Sequence, residues 1–182
     1  MGASDHEPTD ERLIQSTRAG DDEAFAALVG RYKRKTFGIA ARFARNDHEL
    51  DDLAQEIFVK AYRHLASYRG TAPFEHWLSR VAVRTCYDAL RKTRHDRQNV
   101  PLDSVELTAA DNLAPARARE VLQFALDRVE PADRLVITLL ELEEYTVREI
   151  AALTGWSESN VKVRAFRARA ALKKILEEHH ER

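Results

Sequence analysis

The chain has 182 residues, of which 44% are apolar and 32% charged, with six glycines, five prolines and one cysteine. This composition excludes a disordered chain, a collagen and a protein held together by intrachain disulfides. Twenty-nine Lys and Arg nearly balance thirty Asp and Glu, so composition alone favours neither a nucleic-acid binder nor a protein that takes acidic substrates. The start of the chain is polar and acidic, and no apolar run approaches the roughly 18 residues of a membrane span, which predicts a soluble, cytoplasmic protein without membrane insertion.

Helical periodicity predicts an all-α fold. Apolar residues recur three and four positions apart almost throughout, and the alternating stretches rich in Val, Ile and Thr that indicate strands are lacking. In the first half, we expect one helix to follow the capping residue Asp21, a second to follow Asn46, and a third to run from about Phe74 to Arg94. The poor helix formers Gly70 and Pro73 separate the second helix from the third. These three helices would share one core.

An acidic segment that contains proline separates the two halves of the chain. Residues 98–116 include Pro101, Pro115 and three acidic residues, but no basic residue and no sustained apolar stripe. Such a segment is typical of a flexible linker. We therefore predict two small helical domains, residues 1–97 and 117–182, joined by this linker.

The second half contains the pattern of a helix-turn-helix. Thr146 and Glu149 have the spacing of a capping box, which begins a short helix. Gly155 suits the left-handed residue that ends this helix, and Ser157 can cap another helix that begins at Glu158. A helix, a short turn containing glycine and a second helix form a motif that binds the major groove of DNA.

The second helix of this motif has a strongly basic outer side. Between Asn160 and Lys174 there are six basic residues and no acidic one. At 100° per residue its buried stripe begins at Val161, whereas two apolar residues, Val163 and Phe166, fall on the outer side among the cations. A solvated basic face is the simpler interpretation. The exposed apolar residues favour DNA binding instead, because they can touch thymine methyl groups in the major groove.

The second predicted helix begins with five acidic residues within ten positions and no Lys or Arg. Glu49, Asp52 and Glu56 fall on one face beside Gln55, away from the apolar stripe. Such a face is either a solubilising surface or a site for a basic partner, and the residues alone leave both open. His48 lies near these carboxylates, but the spacing matches no established ligand pattern, so we predict no metal site.

The third predicted helix carries the opposite charge. Arg80, Arg84, Tyr87 and Arg91 recur along its outer face, a combination of cations and an aromatic ring that suits phosphate contact and base stacking on single-stranded nucleic acid. The loop before this helix adds aromatic residues and an arginine. Of these, Phe74 is better explained as a core residue where the helix begins.

With these motifs in place, the chain resembles bacterial sigma factors of the extracytoplasmic-function group, the smallest sigma-70-type factors of RNA polymerase. The resemblance covers residues from about 21 to 176. It implies that a region 2 domain binds core polymerase and opens the −10 element, and that a region 4 domain reads the −35 element. The matching segments, in the order of the family, are Asp51–Phe58, Tyr68–Leu78, Glu149–Ala151 and Val161–Arg169.

The resemblance also implies roles for individual residues. It assigns binding of the β′ clamp helices of polymerase to Asp51, Asp52, Gln55, Glu56 and Phe58. It assigns −10 DNA binding to Tyr68, Arg69, Gly70, Thr71, Phe74, Arg80, Arg84, Tyr87 and Arg91. It assigns −35 DNA binding to Ser159, Asn160, Lys162, Val163, Phe166 and Arg167.

Three positions depart from the usual pattern of the family. Arg84 stands where many members have an asparagine that helps to read a flipped base of the −10 element. A guanidinium group only donates hydrogen bonds, so Arg84 either favours a base that offers acceptors or serves as a phosphate contact. Asn160 and Val163 replace the Thr and Ser often found in the recognition helix, so the −35 preference cannot be copied from other members.

The expected partners are core RNA polymerase, through its β′ clamp helices and its β subunit, promoter DNA and, as is usual in the family, an anti-sigma factor. No cofactor is expected. Glycine-rich phosphate loops, Cys-x-x-Cys pairs, His-Glu-x-x-His and Gly-x-Ser-x-Gly are lacking, so we predict a promoter-specificity subunit rather than an enzyme. The alternative is a stand-alone helix-turn-helix regulator that binds duplex DNA as a dimer without polymerase. The acidic face and the separate basic helix argue against it.

Overall fold

The computed structural model describes residues 7–98 and 114–180 of the chain. Within these ranges the regular secondary structure is helical and includes no strand, which confirms the predicted all-α fold. The α-helices are α1 (Asp10–Arg18), α2 (Asp22–Ala41), α3 (Asp47–His64), α4 (Phe74–Gln98), α5 (Ala114–Leu126), α6 (Pro131–Glu141), α7 (Val147–Thr154) and α8 (Glu158–His180), with a short 3-10 turn, Leu65–Ser67, after α3.

The described residues divide into two compact units, and the boundary between Thr85 and Cys86 falls inside α4. The last turns of α4 belong to the second unit, where Arg94 forms an ion pair with Glu130 at 3.1 Å. The domain bounds 1–97 and 117–182 stay a prediction. Most of the predicted linker, residues 99–113, lies outside the described residues.

Local capping fixes where α2 and α3 begin. The Asp21 carboxylate and the Asn46 side-chain oxygen accept hydrogen bonds from backbone amides in the first turns of these helices, which confirms both predicted starts. The core of the first unit contains Leu28, Ile39 and Ile57, each at most 2% exposed. Full burial of one such side chain contributes about 1.5–3 kcal/mol.

Helix α1 is an element that the sequence patterns do not predict. It buries Leu13 and Ile14, and its first residue, Asp10, accepts hydrogen bonds from the Arg31 guanidinium and the Tyr32 hydroxyl of α2. Burial and the hydrogen bond to Asp10 raise the pKa of Tyr32, so its hydroxyl stays a donor. These contacts hold α1 against α2.

The second unit is built around α6. Leu135, Val136 and Leu139 of this helix are at most 1% exposed. A buried ion pair joins Arg134 Nη1 of α6 to Asp127 Oδ1, just after α5, at 2.6 Å. The core formed by these helices also packs the inner side of α8, and this packing decides which side of α8 faces solvent.

Candidate polymerase and nucleic-acid interfaces

The caps of α7 and α8 confirm the predicted helix-turn-helix. The Glu149 amide donates to Thr146 Oγ1 at 3.2 Å and the Thr146 amide donates to Glu149 Oε2 at 2.8 Å, which completes the capping box. Gly155 ends α7 with a φ of 79°, a left-handed conformation that favours glycine. The backbone amide of Asn160 donates to Ser157 Oγ at 3.2 Å, so Ser157 caps α8.

The outer side of α8 brings the predicted −35 residues together. Val161 and Ala168 are fully buried and fix the rotation of the helix, whereas Phe166 is 75% exposed and Val163 48% exposed. An apolar strip flanked by cations fits the major groove, where thymine methyl groups and phosphates are both within reach. We call the exposed set the reading face: Ser159, Asn160, Lys162, Val163, Phe166 and Arg167.

The six basic residues of α8 differ in their partners. Two of them, Lys162 and Arg167, form no ion pair with any residue in the described part of the chain. The other four pair within the protein: Arg164 with Asp133, Arg169 with Glu141, Lys173 with Glu177 and Lys174 with Glu178. Periodicity cannot show the pairs of Arg164 and Arg169, because their acidic partners lie on α6. The pairs of Lys173 and Lys174, in contrast, join residues four positions apart within α8 and follow from sequence spacing.

Tyr68 closes the loop between α3 and α4. Its hydroxyl donates to the Ala72 carbonyl at 2.8 Å. The centroid of its ring lies 5.5 Å from that of Phe74 and 5.8 Å from that of Trp77. Burial, followed by the nearby carboxylates of α1, raises the pKa of Tyr68 and keeps the hydroxyl protonated.

The predicted −10 residues of this loop fall into two groups. Arg69, Gly70 and Thr71 are exposed at its tip, and Gly70 allows the turn with a φ of 71°. Phe74 is 3% exposed and Tyr68 is half-buried, so their rings support the loop from inside. The structure therefore places Phe74 in the core rather than beside the exposed loop tip.

Arg18 of α1 contacts the base of this loop, which the sequence patterns do not show. Its Nη2 atom donates to the Leu65 carbonyl at 2.9 Å and also to the Tyr68 carbonyl. The guanidinium group thus ties together both ends of the turn that leads into the loop. No local pattern could reveal this contact, since the carbonyls are 47 and 50 positions away.

The predicted −10 residues on the outer side of α4 differ in their accessibility. Arg80, Arg84 and Arg91 are exposed. Tyr87 is half-buried, and its ring meets that of Trp156 edge-on within the second unit, at 5.6 Å between centroids. The cations are therefore accessible to phosphates, whereas Tyr87 has an aromatic partner within the protein.

The exposed carboxylates of α3 are only weakly paired. Asp52 Oδ2 lies 3.1 Å from His48 Nδ1, and Glu56 Oε1 lies 2.9 Å from Lys60 Nζ. Exposed pairs of this i,i+4 type contribute about 0.3–0.5 kcal/mol, so a binding partner can replace them at little cost. We call the exposed set the acidic face: Asp51, Asp52, Gln55 and Glu56.

One residue predicted for this side of α3 is held by a neighbouring arginine, another lies in the apolar interior, and one residue was missed. Glu49 accepts hydrogen bonds from the Arg45 backbone amide and Nε, each at 3.0 Å, at the start of α3. Phe58 is half-buried and lines the apolar interior against α2 and α4. Val59 is 39% exposed and, seven positions after Asp52, lies on the acidic face. A helical wheel could have found it.

Within residues 7–98 and 114–180, no group of three or more His, Cys, Asp or Glu is placed to hold a metal ion. In the same ranges, no helix is both long enough and apolar enough to cross a membrane.

Two family models match the chain. The model of Sigma-70 region 2 matches residues 28–96, and the model of Sigma-70, region 4 matches residues 119–172. The first range contains the acidic face, the loop and most of α4. The second contains the helix-turn-helix and the reading face.

Relatives in sequence span nearly the whole chain. RNA polymerase sigma-H factor of Pseudomonas aeruginosa is 33% identical and covers 92% of this chain and 94% of its own. ECF RNA polymerase sigma factor SigM of Mycobacterium tuberculosis is 32% identical, with coverages of 94% and 86%. ECF RNA polymerase sigma-E factor of Escherichia coli is also 32% identical, with coverages of 90% and 92%.

Solved structures share the fold. CnrH, in complex with the cytosolic domain of CnrY, matches with a TM-score of 0.59 at 27% identity over 92% of this chain and 97% of the matched chain. The sigma factor RpoE from Bartonella quintana, in complex with the anti-sigma factor NepR, matches with a TM-score of 0.58 at 22% identity, over 84% and 96% of the two chains. The second likeness concerns the fold alone.

Proposed function

Because this chain belongs to the extracytoplasmic-function group of sigma-70 RNA polymerase sigma factors, we propose that its exposed surfaces divide the work of promoter recognition. The protein directs promoter-specific transcription initiation together with core RNA polymerase. In our proposal, the acidic face binds polymerase, the loop and α4 engage the −10 element, and the reading face contacts the −35 element. Bond formation belongs to polymerase, so this chain acts as a non-enzymatic subunit in the cytoplasm.

The acidic face suits a basic surface on polymerase. Its carboxylates give up only weak pairs on binding, and complementary charge speeds the encounter and fixes the register of the two surfaces. Val59 adds an apolar contact within the acidic face, since it is 39% exposed there. An apolar contact surrounded by polar residues is typical of protein interfaces.

The loop between α3 and α4 suits capture of an extruded base. Tyr68 bridges the loop through its hydrogen bond to the Ala72 carbonyl, which restrains the exposed tip. Extrusion of a base costs a few kcal/mol of unstacking, which an ordered site can offset. Arg80 and Arg84 are exposed on the helix that follows and can contact the adjoining phosphates. Whether Arg84 also selects a base stays a prediction.

One observation on the reading face supports contact with the −35 element. Phe166 is 75% exposed on α8, the second helix of the helix-turn-helix. It lies near Lys162 and Arg167, which have no acidic partner among the described residues. Water is an unfavourable environment for such a ring, whereas the major groove offers thymine methyl groups for it, phosphates for Lys162 and the acceptors of a guanine edge for Arg167.

Run-off transcription with purified core polymerase and a genomic promoter library tests the proposed function. We expect transcripts from a subset of promoters that share a −35 and a −10 sequence, and none from the same library with core polymerase alone. Specific duplex binding by the chain alone as a dimer, without stimulation of polymerase, would favour the stand-alone regulator instead. A transcript pattern that is insensitive to both elements would reject the assignment of the faces.

We also propose that an anti-sigma factor binds this chain. CnrH is bound by the cytosolic domain of a second protein, and it is 27% identical to this chain over nearly its whole length. The second unit contains an apolar groove of about 370 Å³, with Leu122 and Leu142 exposed at its edge. A groove of this kind accepts the apolar face of a helix. We expect a purified anti-sigma candidate to form a one-to-one complex that no longer stimulates polymerase, and unimpaired transcription from that complex would contradict this.

A further inference from the structure

Arg164 lies on α8 beside the reading face, but its guanidinium group turns towards α6. Its Nη1 atom donates to Asp133 Oδ1 at 3.0 Å, and its guanidinium carbon lies 4.6 Å from the centroid of the Trp156 ring. Asp133 is 7% exposed, so the ion pair is largely shielded from water. These contacts hold Arg164 against α6 and the turn between α7 and α8, so it does not extend towards DNA.

The same arginine fixes the orientation of the Asn160 amide. Arg164 Nε donates to Asn160 Oδ1 at 2.6 Å. Arginine carries only donors, so the atom of Asn160 that faces it must be the amide oxygen. The amide nitrogen lies on the other side of the planar group and keeps its two N–H donors for a ligand.

Asn160 is exposed and is the third residue of α8. Residues in the first turns of a recognition helix are the ones that reach base edges. An asparagine there often reads adenine with both atoms, because the oxygen accepts from N6 and the nitrogen donates to N7. That contact uses both atoms on one base, and the bond from Arg164 disfavours it because it draws the oxygen towards Arg164 and occupies one of its two lone pairs.

We propose that Arg164 makes Asn160 a donor to the major groove, so that Asn160 selects guanine and not adenine at one position of the −35 element. The inference rests on the proposed function of the reading face. Guanine presents two neighbouring acceptors, O6 and N7, whereas adenine presents one acceptor beside a donor. Asn160 is thus the specificity-determining residue, and Arg164 is a positioning residue that acts through it.

Two variants separate the roles of these residues. Asn160→Asp keeps an oxygen for Arg164 but replaces the donors with a second acceptor, and a carboxylate in the first turn of a helix is well tolerated. Arg164→Lys keeps a positive charge for Asp133 but removes Nε, which frees the Asn160 oxygen. Ala170→Asp, on an exposed part of the same helix, is the control for added negative charge.

The measurement is binding of the holoenzyme to duplexes with each base pair at each −35 position. At one position we expect Asn160→Asp to move the preference from guanine to cytosine, which offers an amino donor, by about tenfold. We expect Arg164→Lys to raise binding of adenine relative to guanine at the same position by a similar factor. Ala170→Asp should change no base preference, and thermal unfolding of each variant establishes that it is folded.

Two results would overturn the inference. A uniform loss of affinity in Asn160→Asp, with guanine still preferred, would mean that Asn160 does not read the base and contacts phosphate instead. An unchanged ratio of adenine to guanine in folded Arg164→Lys would mean that Arg164 does not set the orientation. A wild-type holoenzyme without base preference at any −35 position would instead reject the proposed function of the reading face, which distinguishes the two failures.

Discussion

The acidic face of α3 and the reading face of α8 differ in how their charges are balanced within the protein. Glu56 pairs with Lys60 and Asp52 contacts the imidazole of His48, each one turn away on α3. Lys162 and Arg167 have no ion pair within the described ranges. On binding a partner, α3 must therefore give up weak pairs within the protein and form new ones with the partner. In contrast, α8 presents cations without internal ion pairs, together with an exposed ring, to a polyanion such as DNA.

The largest expected effect is a loss of stability in the second unit, from removal of the ion pair between Arg134 and Asp127. Arg134→Ala removes the cation beside the largely buried Asp127 carboxylate, which keeps a hydrogen bond from Gln123 Nε2, and loss of one partner of a buried pair costs about 3–5 kcal/mol. We expect urea to unfold the second unit earlier and to leave the first unit less affected. Each unit contains one tryptophan, Trp77 or Trp156, so single-tryptophan variants report the two units separately.

The control for this prediction is Arg169→Ala. Its ion pair with Glu141 is more than half exposed on both sides, so its loss should cost less than about 1 kcal/mol. Equal destabilisation by the two substitutions would contradict the role assigned to burial.

Loss of contacts on the reading face should give the next largest effect. Phe166→Ala and Arg167→Ala should each weaken binding to the preferred −35 duplex by about 1–3 kcal/mol, with Arg167→Ala also relaxing the preference at one base pair. Fluorescence anisotropy with matched and scrambled duplexes measures both quantities. Lys173→Ala, whose side chain pairs with Glu177 further along α8, should have the smaller effect. An equal loss for Lys173→Ala would mean that net charge alone drives binding.

Reversal of charge on the acidic face should weaken polymerase binding. Asp52→Lys combined with Glu56→Lys should lower the affinity for core polymerase by about 2 kcal/mol, since an exposed ion pair contributes about 0.5 kcal/mol and the two reversals replace two attractions with two repulsions. A competition assay against the wild-type chain measures it. Glu177→Lys with Glu178→Lys makes the same change of net charge on the last turns of α8 and should leave polymerase affinity nearly unchanged. Equal affinity of the folded α3 variant and the wild type would remove the assignment.

The smallest effect concerns the loop. Arg18→Gln removes the charged donor to the Leu65 and Tyr68 carbonyls and should weaken holoenzyme binding to a single-stranded −10 oligonucleotide by about 1 kcal/mol. Affinity for core polymerase should not change. Arg12→Gln removes the same charge from an exposed position of α1 and serves as the control. Identical behaviour of the two variants would show that the contact with the loop has no part in DNA capture.

The sequence predicts those features whose causes are local. The starts of α2 and α3, the capping box of α7 and the left-handed Gly155 each depend on residues within a few positions, so pattern reading finds them. Helix α1 escapes prediction because only two of its nine residues, Leu13 and Ile14, are strongly apolar, and the contacts of Asp10 that hold it come from residues of α2 more than twenty positions away.

The candidate sites follow the same rule. The wheel of α8 correctly places Phe166 and Val163 outside, because burial of the opposite stripe depends on helical period alone. It cannot show that Arg164 turns towards Asp133, since that contact joins two helices. The place of Phe58 in the family motif predicts a polymerase contact, whereas packing against α2 and α4 decides where its ring lies.

The central claim is that polymerase binding and −35 reading reside on separate faces, and one titration tests it most directly. Run-off transcription is measured against sigma concentration on templates with an intact or a scrambled −35 element. We expect Asp52→Lys with Glu56→Lys to raise the sigma concentration needed for half-maximal transcription and to keep the ratio of transcription between the intact and the scrambled template. We expect Phe166→Ala with Arg167→Ala to lower that ratio towards one and to leave transcription from the scrambled template unchanged. Loss of the ratio in the α3 variant, or an equal defect of the α8 variant on both templates, would contradict it.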